Sequence, residues 1–195
     1  MQDCDLRSLR LCRRRAMLGA ATALMPWASF PAWGEDQSSD PTSARPQPGD
    51  RLVFLTGPKK GQAARSDDLK LGGSQAQAYP ADPKGVVRDG SPLNLVVLVR
   101  VGSDGLDADT RARSADGVVA YSAICTHQAC PVNQWSEEKK AMVCSCHAST
   151  YDPKNGAKVI FGPAPSSLAA LPLKSESGLL IVAGGFVGRI GGETN

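Results

Sequence analysis

Both histidines of this 195-residue chain, and four of its six cysteines, fall between positions 125 and 147. They form two blocks, Cys125-Thr-His127-Gln-Ala-Cys130 and Cys144-Ser-Cys146-His147. Each block can offer one thiolate and one imidazole, so a four-ligand centre requires a fold in which two loops meet. A structural zinc site uses the same Cys2His2 ligand types, and zinc is therefore the plainest reading of the spacing alone. Three features point instead to iron and sulfide. One cysteine of each block, Cys130 and Cys146, is left over once a thiolate and an imidazole are chosen, and in an oxidising compartment two such neighbours would close a disulfide. Ser149 and Tyr151 follow directly on the second block, supplying hydroxyls that a closed zinc site does not need but that sulfur can accept from. A Gly162-Pro163-Ala164-Pro165 run then provides a stiff loop able to cover one side of a metal centre.

The start of the chain indicates the compartment. Five basic residues, ending in Arg13-Arg14-Arg15, lead into the apolar stretch AMLGAATALMPWASFPAW, and this is the pattern of an export segment over 1–34. Arg14-Arg15-Ala16-Met17-Leu18 resembles a twin-arginine signal, the route taken by proteins that fold around a cofactor before export. The apolar stretch of 18 residues is near the lower bound for a membrane span and is interrupted by Pro26 and Pro31, so cleavage and retention as an anchor both remain open. The basic excess belongs to this segment. From position 35 onwards, 17 basic residues face 17 acidic ones. That balance shows no basic stripe and argues against a nucleic-acid partner.

Residues 35–50 are polar and rich in Pro and Ser, and read as a flexible linker. Beyond them the chain reads as all-β. Strands are expected at 51–56, at 93–101 (LNLVVLVRV, the strongest β signal), at 117–124, 140–144, 158–161, 179–184 and 186–190. The stretches 65–92 and 102–116 read as loop, and SSLAAL at 166–171 as one or two helical turns. Short strands between Gly/Pro turns imply an antiparallel sandwich or a partly open barrel.

The blocks CTHQAC and CSCHAST, followed by GPAP, resemble the Rieske [2Fe–2S] proteins over about 117–172. The resemblance implies an antiparallel β-sandwich base over 51–195 carrying a small cluster-binding subdomain at about 122–170. It implies that Cys125 and Cys144 bind one iron, that His127 and His147 bind the other, and that Cys130–Cys146 is a disulfide. It further implies that Ser149 donates to a bridging sulfide and Tyr151 to the Cys125 sulfur. Both bonds stabilise the reduced cluster, which sets the expected potential in the upper half of the family's range of about −150 to +300 mV. Glycine is usual in the family at the positions of Ala129 and Ala148, and a positive φ at either alanine would cost about 1 kcal/mol.

The pair Cys130 and Cys146 resembles respiratory Rieske proteins, which carry both cysteines, rather than dioxygenase ferredoxins, which typically lack them. The run VVAYSAICTHQAC and the leader resemble the small subunit of arsenite oxidase, whereas Tyr151 and GPAP resemble the quinol–cytochrome c oxidoreductase subunit. The implied role is one-electron transfer in a periplasmic or membrane-associated respiratory complex, with no active site of its own. The partner expected first is a molybdenum-containing catalytic subunit; the alternative is a cytochrome b/c complex with quinol as reductant.

Overall fold

The computed structural model describes residues 40–192, all within the compact unit 37–195. The expected leader over 1–34 lies outside the described residues. Within them no helix is long and apolar enough to cross a membrane.

Among the described residues, ten strands form two antiparallel sheets. The larger contains β1 (Arg51–Phe54), β2 (Ala76–Ala81), β3 (Val96–Arg100), β4 (Val118–Ser122), β9 (Leu173–Glu176) and β10 (Leu179–Val182), in the order β4-β3-β2-β1-β10-β9. The smaller contains β5 (Val132–Ser136), β6 (Ala141–Cys144), β7 (Thr150–Asp152) and β8 (Lys158–Phe161), in sequence order. The open edge of β4 is covered by the segment leading into β9: Ser122 N–H donates to Ala169 O (2.8 Å) and Leu171 N–H to Ala120 O (2.9 Å). The large sheet thereby curls toward closure, and the small sheet is an insertion between β4 and β9.

The unbroken apolar run of β3 follows from burial on both faces. Val96 and Leu98 join Val118 and Ala120 in a core inside the large sheet, with Leu52, Phe54, Leu171 and Leu180. Val97 and Val99 join Val119 and Tyr121 in a second core, against Val132, Met142 and Tyr151 of the small sheet. A strand alternates its side chains between two faces, so a strand sandwiched between two cores has no polar positions to alternate. This second core seats the small sheet on the large one.

Several expectations are corrected by long-range contacts. The stretch 65–92 holds β2, whose short residues Ala76, Ala78 and Ala81 gave no β signal but fit under β1 and β3. The stretch 102–116 holds α1 (Ala108–Arg113), started by Asp107, whose carboxylate accepts the Thr110 N–H at 2.9 Å. This helix braces the small sheet, since Gly156 N–H donates to Thr110 Oγ1 (2.8 Å); Tyr121 of β4 adds a second tie, its O–H donating to Pro153 O (2.9 Å). No helix forms at 166–171, and 186–190 makes only a bridge, Ala170 with Val187.

The described part of the expected linker, 40–50, is bound to the body rather than free. Asp50 is buried and paired with Arg88 through two hydrogen bonds of 2.6 and 3.0 Å, and Asn94 Nδ2 donates to Ala44 O at 2.8 Å. Most of its other residues lie at the surface, which accounts for its polar composition.

Candidate metal centre

Two loops at one end of the small sheet close in the same way. In the first, between β4 and β5, Cys125 N–H donates to Cys130 O (2.8 Å) and Ala129 N–H to Cys125 O (3.1 Å). In the second, between β6 and β7, Cys144 N–H donates to Ser149 O (2.9 Å) and Ala148 N–H to Cys144 O (3.1 Å). Counting each cysteine as the first residue, the fifth is left-handed in both loops, Ala129 at φ 55° and Ala148 at φ 56°. Both alanines therefore occupy the conformation that the missing glycines would take more cheaply.

The loops bring four chemically competent side chains together. Cys125 and Cys144 are each 1% exposed, and they are the free thiols among the described residues. His127 is half-buried and His147 exposed; their Nδ1 atoms approach to 3.2 Å, with ring planes at 84°. Burial pushes the Cys144 thiol above its ordinary pKa and the adjoining Cys125 adds to the rise, while backbone N–H groups of Cys146 and His147 act in the opposite direction. N–H groups that lower a thiol's pKa favour its thiolate, the form a metal binds.

Cys130 and Cys146 are joined by a disulfide that ties the loops, with Cα atoms 6.3 Å apart. The sulfurs of Cys130, Cys144 and Cys146 lie within 4.8 Å of one another, so proximity alone picks out a three-sulfur group. Bond chemistry removes two of its members, since a disulfide sulfur has no thiolate to give. The donors left to this end of the molecule are two thiols and two imidazoles, a set of the sulfur and nitrogen types that hold iron–sulfur centres.

Around these donors lie the two hydroxyls and the proline loop. Tyr151 Oη is 3.1 Å from Cys125 Sγ and accepts the Thr126 N–H at 3.4 Å. Burial, reinforced by Cys125, pushes the Tyr151 phenol well above its ordinary pKa, so it keeps its proton to donate. Ser149 is fully buried and its oxygen accepts the Ala164 N–H at 3.1 Å. Gly162, at φ 94°, lets the proline loop lie against Ser149; a Cβ there would sit 2.6 Å from Ser149 Cα. Thr126 was not marked by spacing, yet its hydroxyl donates to Ser166 O at 2.6 Å and pins the far end of that loop. Its partner is 40 residues away, which no local pattern discloses.

Comparison with known proteins agrees with this arrangement. Residues 63–172 match the family described as the Rieske [2Fe-2S] domain. A cytochrome bc1 complex Rieske iron-sulfur subunit of Streptomyces lividans is 37% identical over 98 residues, covering 49% of this chain and 58% of the relative. A Haloferax mediterranei protein bearing the name respiratory nitrate reductase subunit Rieske is 40% identical over 97 residues, covering 49% of this chain and 43% of the relative. The chain thus spans less than two thirds of the length of these relatives. Among solved structures, the ferredoxin of carbazole 1,9a-dioxygenase from Nocardioides aromaticivorans aligns with 68% of this chain and 97% of its own, at 20% identity and a TM-score of 0.43. With more than half of its length inside the family match, the chain belongs to the Rieske [2Fe-2S] domain family.

Proposed function

We propose that Cys125, His127, Cys144 and His147 hold one Rieske-type [2Fe–2S] cluster, and that the chain is the one-electron subunit of a respiratory oxidoreductase complex outside the cytoplasmic membrane. The reading is carried by one observation: two like-folded loops, stapled together, bring a pair of buried thiols to a pair of imidazoles whose Nδ1 atoms converge. When bound, such a cluster takes up and returns a single electron at a higher potential than an all-cysteine cluster. The buried thiols keep their sulfurs from water. The histidines use Nδ1 toward the metal and leave Nε2 for a partner or a quinol hydroxyl. Tyr151 donates to Cys125, and Ser149, whose oxygen is already occupied by Ala164 N–H, has its proton free to donate to sulfur. Both hydroxyls stabilise added negative charge and raise the potential.

The relatives support a cytochrome bc1-type partner, with quinol as reductant, over the molybdenum oxidase first expected. Curated relatives from Streptomyces, Corynebacterium and Mycobacterium bear the bc1 Rieske name. The arsenite-oxidase type stays as a second reading because VVAYSAICTHQAC is its specific support. In either case residues 1–34 serve as leader or anchor, and the residues from 40 onward are one Rieske domain with its cluster subdomain at about 122–170. Low-temperature EPR of the dithionite-reduced protein tests the cluster: a [2Fe–2S] signal with two coupled histidine nitrogens is expected, and silence, or zinc without acid-labile sulfide, overturns it. Native purification with mass spectrometry of co-purifying subunits tests the partner. Association with a cytochrome b is expected; a molybdenum subunit in its place would favour the second reading.

A further inference from the structure

The segment 186–192 lies outside the family match of 63–172, yet it runs onto the first ligand loop. Val187 exchanges both backbone hydrogen bonds with Ala170, at 2.7 and 2.9 Å, just beyond the proline loop. From there its glycines face the backbone and core of the domain. A Cβ at Gly188 would be 3.4 Å from Ala169 Cα, and one at Gly191 would be 3.4 Å from Ile124 Cγ2. At Gly192 the approach is closest, since a Cβ would lie 2.6 Å from the carbonyl oxygen of His127 and 3.1 Å from that of Thr126. Real Cβ atoms essentially never come so near, and the obstacle is backbone, which cannot swing aside as a side chain tip can. The approaches at Gly191 and Gly192 fall on Ile124, Thr126 and His127, in or just before the first ligand loop.

We infer that Gly192 is a positioning residue for His127: the 186–192 strap braces the peptide between Thr126 and Gln128 and so sets how that imidazole meets the bound cluster. The inference rests on the cluster assignment above. A ligand at the fourth residue of its loop, His147, has the disulfide neighbour Cys146 beside it. His127 stands two residues from Cys125 and three from Cys130, at the part of the loop farthest from both anchors, and the strap meets it there. His127 is only half-buried, and the strap lies against its carbonyl. Because solvent access to an iron–sulfur site is one determinant of its potential, the strap contributes by covering as well as by holding.

The test uses the cluster-loaded full chain, its Gly192→Ala variant, and Gly185→Ala as control, since a Cβ at 185 meets nothing within 4 Å. Protein-film voltammetry and nitrogen ENDOR of the reduced protein are the readouts. Gly192→Ala is expected to shift the midpoint potential and to alter one of the two histidine couplings while sparing the other; Gly185→Ala should leave both unchanged. An unchanged potential and unchanged couplings in Gly192→Ala overturn the inference, as does an equal shift in Gly185→Ala. Should Gly192→Ala not fold, a chain ending at Ile190 removes the strap's last contact without a clash, and its potential should rise as water reaches the loop; an unaltered potential there overturns the inference too. A wild-type protein lacking the cluster signal would instead sink the cluster assignment, which separates the two failures.

Discussion

Replacing Ala129 and Ala148 by glycine should stabilise the protein, which is an unusual direction for substitutions beside a metal site. Both residues sit near φ 55°. A left-handed backbone costs an L-residue about 1–2 kcal/mol, and glycine is free of that cost. Against it, glycine gives the unfolded chain more freedom to lose, about 0.5–1 kcal/mol. The methyl groups are exposed, so little burial is forfeited. The net gain lies between zero and about 1.5 kcal/mol for each substitution, with a centre of about 0.75 kcal/mol, and about twice that for the pair if the loops act independently despite their shared disulfide. Ala157 is the internal control, because its φ of 50° is as strained but its methyl is fully buried. Losing one buried methyl costs about 0.8 kcal/mol, which cancels the relief and predicts a near-neutral Ala157→Gly. Urea unfolding of the disulfide-intact protein, followed by fluorescence of Trp135, should show higher midpoints for Ala129→Gly and Ala148→Gly at unchanged slope. Midpoints that fall for these two, or a larger rise for Ala157→Gly, would refute the account of strain.

Ser149→Ala and Tyr151→Phe should each keep the cluster and lower its midpoint potential, because a donor toward charge-bearing sulfur is removed; voltammetry at a single pH checks this, and unmoved potentials would mean that neither hydroxyl serves the sulfurs. Cys130→Ser with Cys146→Ser opens a cross-link between positions 16 apart and should cost about 3 kcal/mol of stability. Thiol labelling of the denatured, unreduced protein should correspondingly find neither residue free. Asp107→Ala should cost about 1 kcal/mol by uncapping α1. The Thr110 N–H holds the Asp107 carboxyl below the usual carboxylate range, so its contribution is full above roughly pH 4 and is lost as pH falls through the lower folded value. The wild-type advantage over Asp107→Ala, measured by urea unfolding across that acid window, should shrink on acidification; a constant gap would contradict the charged cap.

The site was more legible in the sequence than the framework that carries it. Ligand chemistry confines Cys, His and hydroxyl residues to short spacings, so the two blocks and the proline run announce themselves within about 40 positions. Strands with β-branched residues, such as Val96–Arg100 and Lys158–Phe161, were equally plain. What local reading missed depends on partners distant in sequence. β2 is a strand because β1 and β3 flank its alanines, and α1 exists because Asp107 caps it and Thr110 reaches Gly156. Residues 40–50 looked like linker because nothing nearby announces that Arg88 and Asn94 will receive them. The positive φ of Ala129 and Ala148 could be posed as a question from sequence but answered only by the loop hydrogen bonds.

The insertion of the small sheet between β4 and β9 has a consequence for exchanging parts between proteins. Its ends meet: Ser122 and Ala169 are already joined by a 2.8 Å hydrogen bond, so backbone could be cut and reclosed there over a very short span. By chain geometry alone the metal-bearing module is therefore portable, like other insertions whose termini lie side by side. Side-chain chemistry opposes the transfer. Val97, Val99, Val119 and Tyr121 would be stripped of Val132, Met142 and Tyr151, leaving an apolar face on the donor and another on the module. A successful graft has to carry those four positions with it, and a stand-alone large sheet has to replace them with polar residues.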